Sequence, residues 1–187
     1  MKSSFRQPFI NAIPPMTAED QLVSLSLCVL TVSDSRTLES DTSGQFLVRA
    51  LTEAGHRLHE RKLLRDDRYA IRAQVAAWIA EPVVHGVLIT GGTGFTGRDS
   101  TPEAVLPLLD KEMPGFGELF RVVSFEEIGT SSLQSRAFAG LSNQTFVFAL
   151  PGSTSACRTA WEKLLRAQLD ARTRPCNLVG LLPRLAE

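Results

Sequence analysis

Four stretches of this sequence combine glycine, hydroxyl and charged residues in the manner of anion-binding loops: Ser33-Asp34-Ser35-Arg36, Arg65-Asp66-Asp67-Arg68, Gly91 through Glu103, and Pro151-Gly152-Ser153. Glycines directly after a strand let backbone amides approach a phosphate closely, because no Cβ intervenes and positive φ costs little. Thr90-Gly91-Gly92-Thr93-Gly94 is a candidate cradle on this ground, and a tight turn would use the same residues. Ser33, Ser35 and Ser153 offer hydroxyls suited to a phosphate or a heterocycle. Asp66, Asp67 and Asp99 could hold Mg²⁺ bridged to a ligand's phosphates, since magnesium keeps several waters and needs few protein donors. Helix capping competes for these residues. An acidic pair such as Asp66-Asp67 suits a helix start, and Thr101 suits an N-cap with Pro102 at the first helical position and Glu103 in the positive first turn. Capping accounts less well for Arg98 and Asp99, which lie between that cap and the glycine turn.

Better-known chemistries fit poorly. Gly92-x-Gly94-x-x-Gly97 matches a dinucleotide fingerprint letter by letter, but it follows the third apolar run and leads into Arg98-Asp99 rather than opening a helix after the first strand. A nucleoside-triphosphate loop would need Lys then Ser or Thr where Arg98 and Asp99 stand. There is no Gly-x-Ser-x-Gly elbow for acyl transfer. His56, His59 and His85 lie away from the glycine loops and receive no catalytic role. The cysteines Cys28, Cys157 and Cys176 are odd in number and widely spaced, which points to reduced thiols in the cytoplasm, with Cys28 and Cys157 as core packing.

The elements that must position these loops are readable from periodicity. Leu25 to Thr31 is an almost continuous apolar run, as expected of a central strand covered on both faces. Phe46, Leu47, Ala50, Leu51 and Ala54 recur at helical spacing, with Gly55 placed to end the helix. Leu58 to Leu64 predicts a second strand, followed by a helix with Ile71, Val75, Trp78 and Ile79 on one face. Val84 to Thr90 and Thr145 to Leu150 are further strands, the latter leading into a helix whose buried stripe includes Ala156, Ala160, Leu164 and Ala167. Pro102 to Leu141 reads as two or three short helices beside the site, interrupted at Met113-Pro114-Gly115-Phe116-Gly117. Alternation of this kind predicts an α/β fold with a mainly parallel, doubly wound sheet. Ligands of such sheets bind beyond the carboxyl ends of the strands, where the four polar loops fall.

With 187 residues, 43% of them hydrophobic, the chain suits one core, and 20 basic against 20 acidic side chains provide no global field toward nucleic acid or an anionic membrane. Met1 to Gln21 has no apolar stretch long enough for a signal peptide or membrane span and reads as a mobile or surface-packed arm ahead of a domain covering 22–187.

Taken in order, Leu30-Thr31-Val32-Ser33-Asp34-Ser35, Asp41-Thr42-Ser43-Gly44, Ile89-Thr90-Gly91-Gly92-Thr93-Gly94, Asp99-Ser100-Thr101-Pro102-Glu103-Ala104, Pro114-Gly115-Phe116-Gly117-Glu118 and Leu150-Pro151-Gly152-Ser153 resemble the molybdopterin-binding MoaB/MogA family. Ser124 to Thr130 and Ala171 to Asn177 resemble its bacterial MoaB branch. The resemblance implies a three-layer α/β domain, assembled as a homotrimer or homohexamer, in molybdenum cofactor biosynthesis. It implies transfer of AMP from ATP, with Mg²⁺, to the terminal phosphate of molybdopterin. The alternative is a non-catalytic protein that binds molybdopterin or organises other enzymes of the pathway. Carried over by position, the functional and metal-holding carboxylates are Asp66 and Asp99. The substrate contacts are Ser33, Asp34, Gly91, Gly92, Thr93, Gly94, Thr101, Glu103, Pro151, Gly152 and Ser153.

Overall fold

In the computed structural model, which describes residues 21–185, strands and helices alternate through the first half of the chain and the pattern then changes. The strands are β1 (Ser26–Val32), β2 (Arg57–Leu64), β3 (Gly86–Thr90), β4 (Lys111–Glu112), β5 (Phe138–Ser142) and β6 (Thr145–Leu150). The helices are α1 (Thr42–Glu53), α2 (Arg68–Ile79), α3 (Thr101–Val105), α4 (Pro114–Ile128), α5 (Thr154–Ala160) and α6 (Arg166–Gln168). One sheet has the order β2-β1-β3-β6-β5-β4. The first four of these run parallel, β5 is antiparallel to β6, and β4 is antiparallel to β5. The arm expected over Met1–Gln21 lies, apart from Gln21, outside the described residues.

Alternation along β1 divides the core in two. Leu25, Leu27 and Val29 pack with residues of α1, α4 and α5, whereas Cys28, Leu30 and Val32 pack with residues of α2 and α3 on the other face. This is the three-layer arrangement. Each fully buried large side chain, such as Trp78 or Phe148, contributes about 2–3 kcal/mol of transfer free energy. The edges of the sheet are unattractive to further strands: β2 carries Arg57, Glu60, Arg61 and Lys62, and β4 is two charged residues long.

Helix starts follow the side chains available. Asp41 accepts from Gly44 N at 2.9 Å to open α1, and Asp67 accepts from Tyr69 N and Ala70 N to open α2. Asp41 is also a buried hub. Its Oδ2 accepts from Thr31 Oγ1 and Arg61 NH2, each at 2.7 Å, which ties the end of β1 and the edge strand β2 to the start of α1.

β1 is internal and buried throughout, paired with β2 on one side and β3 on the other, as its apolar run predicts. Two other expectations are corrected. The region read as helical up to Leu141 contains β4 and β5 as well as α4. β5 pairs with β6 through the two-residue turn Asn143-Gln144, both at positive φ (43° and 69°), as a type I′ hairpin requires. Lastly, Leu164 is only half-buried and Ala167 is exposed, while Trp161, Leu165 and Leu169 are buried instead. Trp161–Leu165 is a π-helical turn. Its extra residue rotates the apolar stripe away from the regular 3.6-residue spacing.

Candidate ligand-binding cleft

The loops at the carboxyl ends of β1, β3 and β6 surround a cleft of about 600 Å³. β3 enters it through Gly91 and Gly92, at φ 103° and 64°. A Cβ on Gly91 would strike the Val32 carbonyl, and one on Gly92 would strike Thr101 Oγ1, so only glycine fits either place. The turn is held from behind: Gly91 N donates to Leu150 O (3.0 Å), Thr101 Oγ1 to Gly91 O (2.9 Å) and Thr101 N to Gly92 O (2.9 Å). Gly152 packs across it so closely that a Cβ there would stand 3.3 Å from Gly91 Cα, tighter than ordinary contact.

The loop after β1 is folded on Ser33, whose Oγ accepts from Ser35 N and Arg36 N. Arg36 NH1 donates to Ser43 Oγ (2.6 Å), and that hydroxyl donates to Gly152 O (2.7 Å), so the β1 and β6 loops are tied through the start of α1. Ser153 caps α5 by accepting from Ala156 N at 3.1 Å. On the floor, Thr90 Oγ1 lies 2.9 Å from Pro151 O and 3.1 Å from Cys157 Sγ. Burial pushes the Cys157 thiol up to about 11, so it is inert packing at neutral pH.

The carboxylates are engaged in different ways. Asp99 lines the cleft, with Oδ2 accepting from Thr96 N (2.8 Å) and Thr96 Oγ1 (2.6 Å). Burial pushes its carboxyl up, but the Thr96 bonds, the Gly94 amide and the Arg136 cation together outweigh that and leave it below its ordinary value. Asp66 Oδ1 accepts from Ser100 N (3.0 Å) and Ser100 Oγ (2.5 Å), which fixes it to the residue after Asp99. Its Oδ2 faces Gly92, 2.7 Å from where a Cβ would stand. The structure therefore brings Asp66 and Asp99 to the same glycine loop. Asp34 is exposed, and both its oxygens accept from Arg98 (2.8–3.0 Å), which holds its carboxyl below the usual range.

Of the residues singled out in the sequence, Ser33, Ser35, Arg36, Gly91 to Gly94, Asp99, Pro151, Gly152 and Ser153 line the cleft. Thr101 is wholly buried behind the loop. It is also not the N-cap: Ser100 holds that position, and Thr101 is already helical with its hydroxyl turned to Gly91. Glu103 is ion-paired to Arg136, whose hydrogen bond is the main cause that lowers its carboxyl. The helices expected beside the site do form its opposite wall, but periodicity and loop chemistry did not name the residues that line it: Ser124, Glu127 and Ile128 of α4, Ser132 and Gln134 of the 3₁₀ turn after it, and Ser135 at that turn's end. Glu127 there accepts from Thr159 Oγ1 at 2.7 Å. The signal available was the hydroxyl-rich run from Thr130 to Ser135, which lacks glycine and follows no strand.

A doubly wound sheet with glycine turns, clustered hydroxyls and two carboxylates at one rim defines an α/β protein with a candidate ligand cleft at the carboxyl ends of its strands. Residues 28–171 match the model of the family described as "Probable molybdopterin binding domain". The chain belongs to that family. It is 59% identical over 157 residues to "Molybdenum cofactor biosynthesis protein B" of Escherichia coli (strain K12), covering 84% of this chain and 92% of that one. Among solved structures it is similar to a crystal structure of "Molybdenum cofactor biosynthesis protein B", with TM-score 0.76, 45% identity, and coverage of 79% of this chain and 92% of the other. It is also similar to the tungsten cofactor synthesizing protein MoaB from Pyrococcus furiosus, with TM-score 0.70, 32% identity, and coverage of 88% and 98%. Among the described residues no helix is long and apolar enough to cross a membrane.

Proposed function

We propose that this protein acts in molybdenum cofactor biosynthesis by binding molybdopterin in the rim cleft and transferring AMP from ATP to its terminal phosphate. The observation that carries this reading is the convergence of Gly91–Gly94, Asp99 and Asp66 on one loop beside a cleft large enough for a phosphorylated heterocycle. Amides of Gly92 and Thr93 hold phosphate oxygens, the Gly94 amide being given to Asp99, and the hydroxyls of Ser33 and Ser153 orient them. The rest of the cleft, floored by Thr90 and walled by Ser124, Ser132 and Gln134, takes the pterin.

Among the described residues no group of three or more His, Cys, Asp or Glu could hold a metal ion. Two carboxylates from separate loops, brought to the same glycine turn, nevertheless suit magnesium, which retains most of its waters. Asp66 and Asp99 would hold it, and when bound it would supply neutralisation of the nucleotide phosphates. The chain's own part is positioning and charge. It sets an oxygen of the molybdopterin phosphate in line with the α-phosphorus of ATP. A new P–O bond forms there as the bond to the departing pyrophosphate breaks.

One observation favours a second reading, binding without transfer: Asp66 lies outside the cleft wall with Oδ1 already committed to Ser100. Incubation with molybdopterin, ATP and Mg²⁺, followed by mass spectrometry, separates the two. Adenylylated product supports transfer, whereas tight binding without product supports the second reading. Asp99→Asn should lower the transfer rate about 100-fold or more while the fold is retained. Full activity in both Asp99→Asn and Asp66→Asn would overturn the assignment of the carboxylates.

A further inference from the structure

The glycine loop leaves the sheet at Gly91 and returns only at α3, and one side chain from another part of the chain holds most of its length. Arg136 stands between the cleft-lining Ser135 and the start of β5. Its backbone N donates to Thr93 O (3.2 Å), its Nε to Gly94 O (2.7 Å) and its NH2 to Asp99 O (2.9 Å), and its NH1 pairs with Glu103. The guanidinium carbon also lies 5.5 Å from the centre of the Phe95 ring. We propose that Arg136 is the positioning residue of the glycine loop: it holds residues 93–103 in the shape that receives phosphate and fastens them to the opposite wall of the cleft.

Only arginine has the donors for this. A planar guanidinium reaches three acceptors in divergent directions at once, whereas a lysine ammonium on a flexible stem presents a single point. The side chain is only 24% exposed, and Glu103 balances its charge, so Arg136 is committed to the loop rather than offered to an incoming anion. Glu103 thereby gains a role its position in the sequence did not reveal, as the residue that keeps the guanidinium aimed. Of the loop's other long-range ties, Ser100 to Asp66 fixes only its end, and Arg98 to Asp34 is far more exposed than Arg136, at 69% and 41%. A segment with Gly92, Gly94 and Gly97 has much conformational freedom to lose when it closes on a ligand, and a clamp that removes this freedom beforehand tightens binding.

This inference rests on the reading of the loop as a phosphate cradle, so its test begins in the free protein. Amide hydrogen exchange should accelerate about tenfold or more over Gly92–Asp99 in Arg136→Ala, while β1, β3 and β6 keep their wild-type protection. Arg136→Lys should fall between the two proteins, and guanidinium ion at low millimolar concentration should slow the loop again in Arg136→Ala. Molybdopterin affinity should fall in the same order as loop protection is lost. Unchanged exchange in the loop, or acceleration spread evenly through the sheet, would overturn the clamp. If Arg136→Ala does not fold, the same two readings of Arg136→Lys decide it. Wild-type protein that ignores molybdopterin, with the loop loosened as described in Arg136→Ala, would reject the cofactor reading and leave the clamp standing.

Discussion

The two ends of the same parallel strands are finished in opposite ways. At the carboxyl end, side chains bond sideways from loop to loop: Ser43 to Gly152, Ser100 to Asp66, and Arg136 to Gly94. The loops are thereby tied to one another around a cleft. At the amino end, side chains bond back onto the strands that start there: His56 Nδ1 accepts from Leu25 N, His85 Nδ1 from Ser26 N, and Thr145 Oγ1 donates to Val84 O. One rim uses its polar groups to shape a ligand site and the other uses them to finish backbone hydrogen bonding. Substitutions at the first should register in ligand binding, and substitutions at the second in stability.

Asp41 is the severest challenge to that division, because it stands at the carboxyl rim and is fully buried. Asp41→Asn keeps the cap on Gly44 but removes the charge that faces Arg61 (2.7 Å) and Arg36 (3.5 Å), both well covered. Arg61 has a buried Nε without a partner, and its other acceptors are the Leu38 and Asp41 carbonyls at 3.3 Å, so the carboxylate is its shortest bond. The expected loss is about 3 kcal/mol in urea unfolding at neutral pH. The sign with pH is fixed. Burial raises the Asp41 carboxyl, but bonds from Thr31, Arg61 and Gly44 outweigh it and hold the folded value below 3.8. Its contribution is therefore full above 3.8, and the difference between wild type and variant should shrink as pH falls below that. A loss that is small and flat with pH would show that this rim bears no stability.

Gly91→Ala sharpens the comparison from the other side. Alanine is strained at φ 103°, and its Cβ would displace the Val32 carbonyl at the end of β1. We expect about 2 kcal/mol of destabilisation, together with a larger proportional loss of molybdopterin affinity, measured by titration against wild type. If affinity were retained, the loop would be no cradle.

These contrasts also mark what the sequence could convey. β1, β3 and β6 were legible because strands buried on both faces read as uninterrupted apolar runs, and their loops because glycine and hydroxyl residues follow directly. β5 was not, since Phe-Ala-Gly-Leu-Ser has a weak pattern and its hairpin turns on Asn143-Gln144 rather than on a glycine. The displaced stripe after Ala160 depends on a π turn that leaves no compositional trace. In the site, the phosphate side of the cleft was readable from local chemistry. The wall from Ser124 to Ser135, Arg136 and the inward turn of Thr101 depend on tertiary approach, which spacing along the chain does not encode. Asp34 shows the same limit, because nothing nearby in sequence announces Arg98 as its partner.

The smallest expected effect concerns the amino rim. Because Nδ1 of His56 and of His85 accepts a strand amide, each ring must be neutral there, and burial is the main cause that lowers both below 6.5. Asp170 partly opposes this at His56, and Arg57 adds to it at His85. The unfolded chain takes up these protons first as pH falls, so the stabilisation is complete above 6.5 and declines below it through the folded values. His56→Phe leaves the Leu25 amide without its acceptor and should cost about 1 kcal/mol, and the variant should lose part of the pH dependence seen in wild type between neutrality and the carboxylate range. Across that interval Asp34, Asp99 and Glu103 stay ionised, each held below its ordinary value by the donors around it. Exchange protection of the glycine loop, corrected for the intrinsic effect of pH, should therefore stay level while global stability declines. If the two fell together, the rims would form one cooperative unit and the division between shaping and sealing would fail.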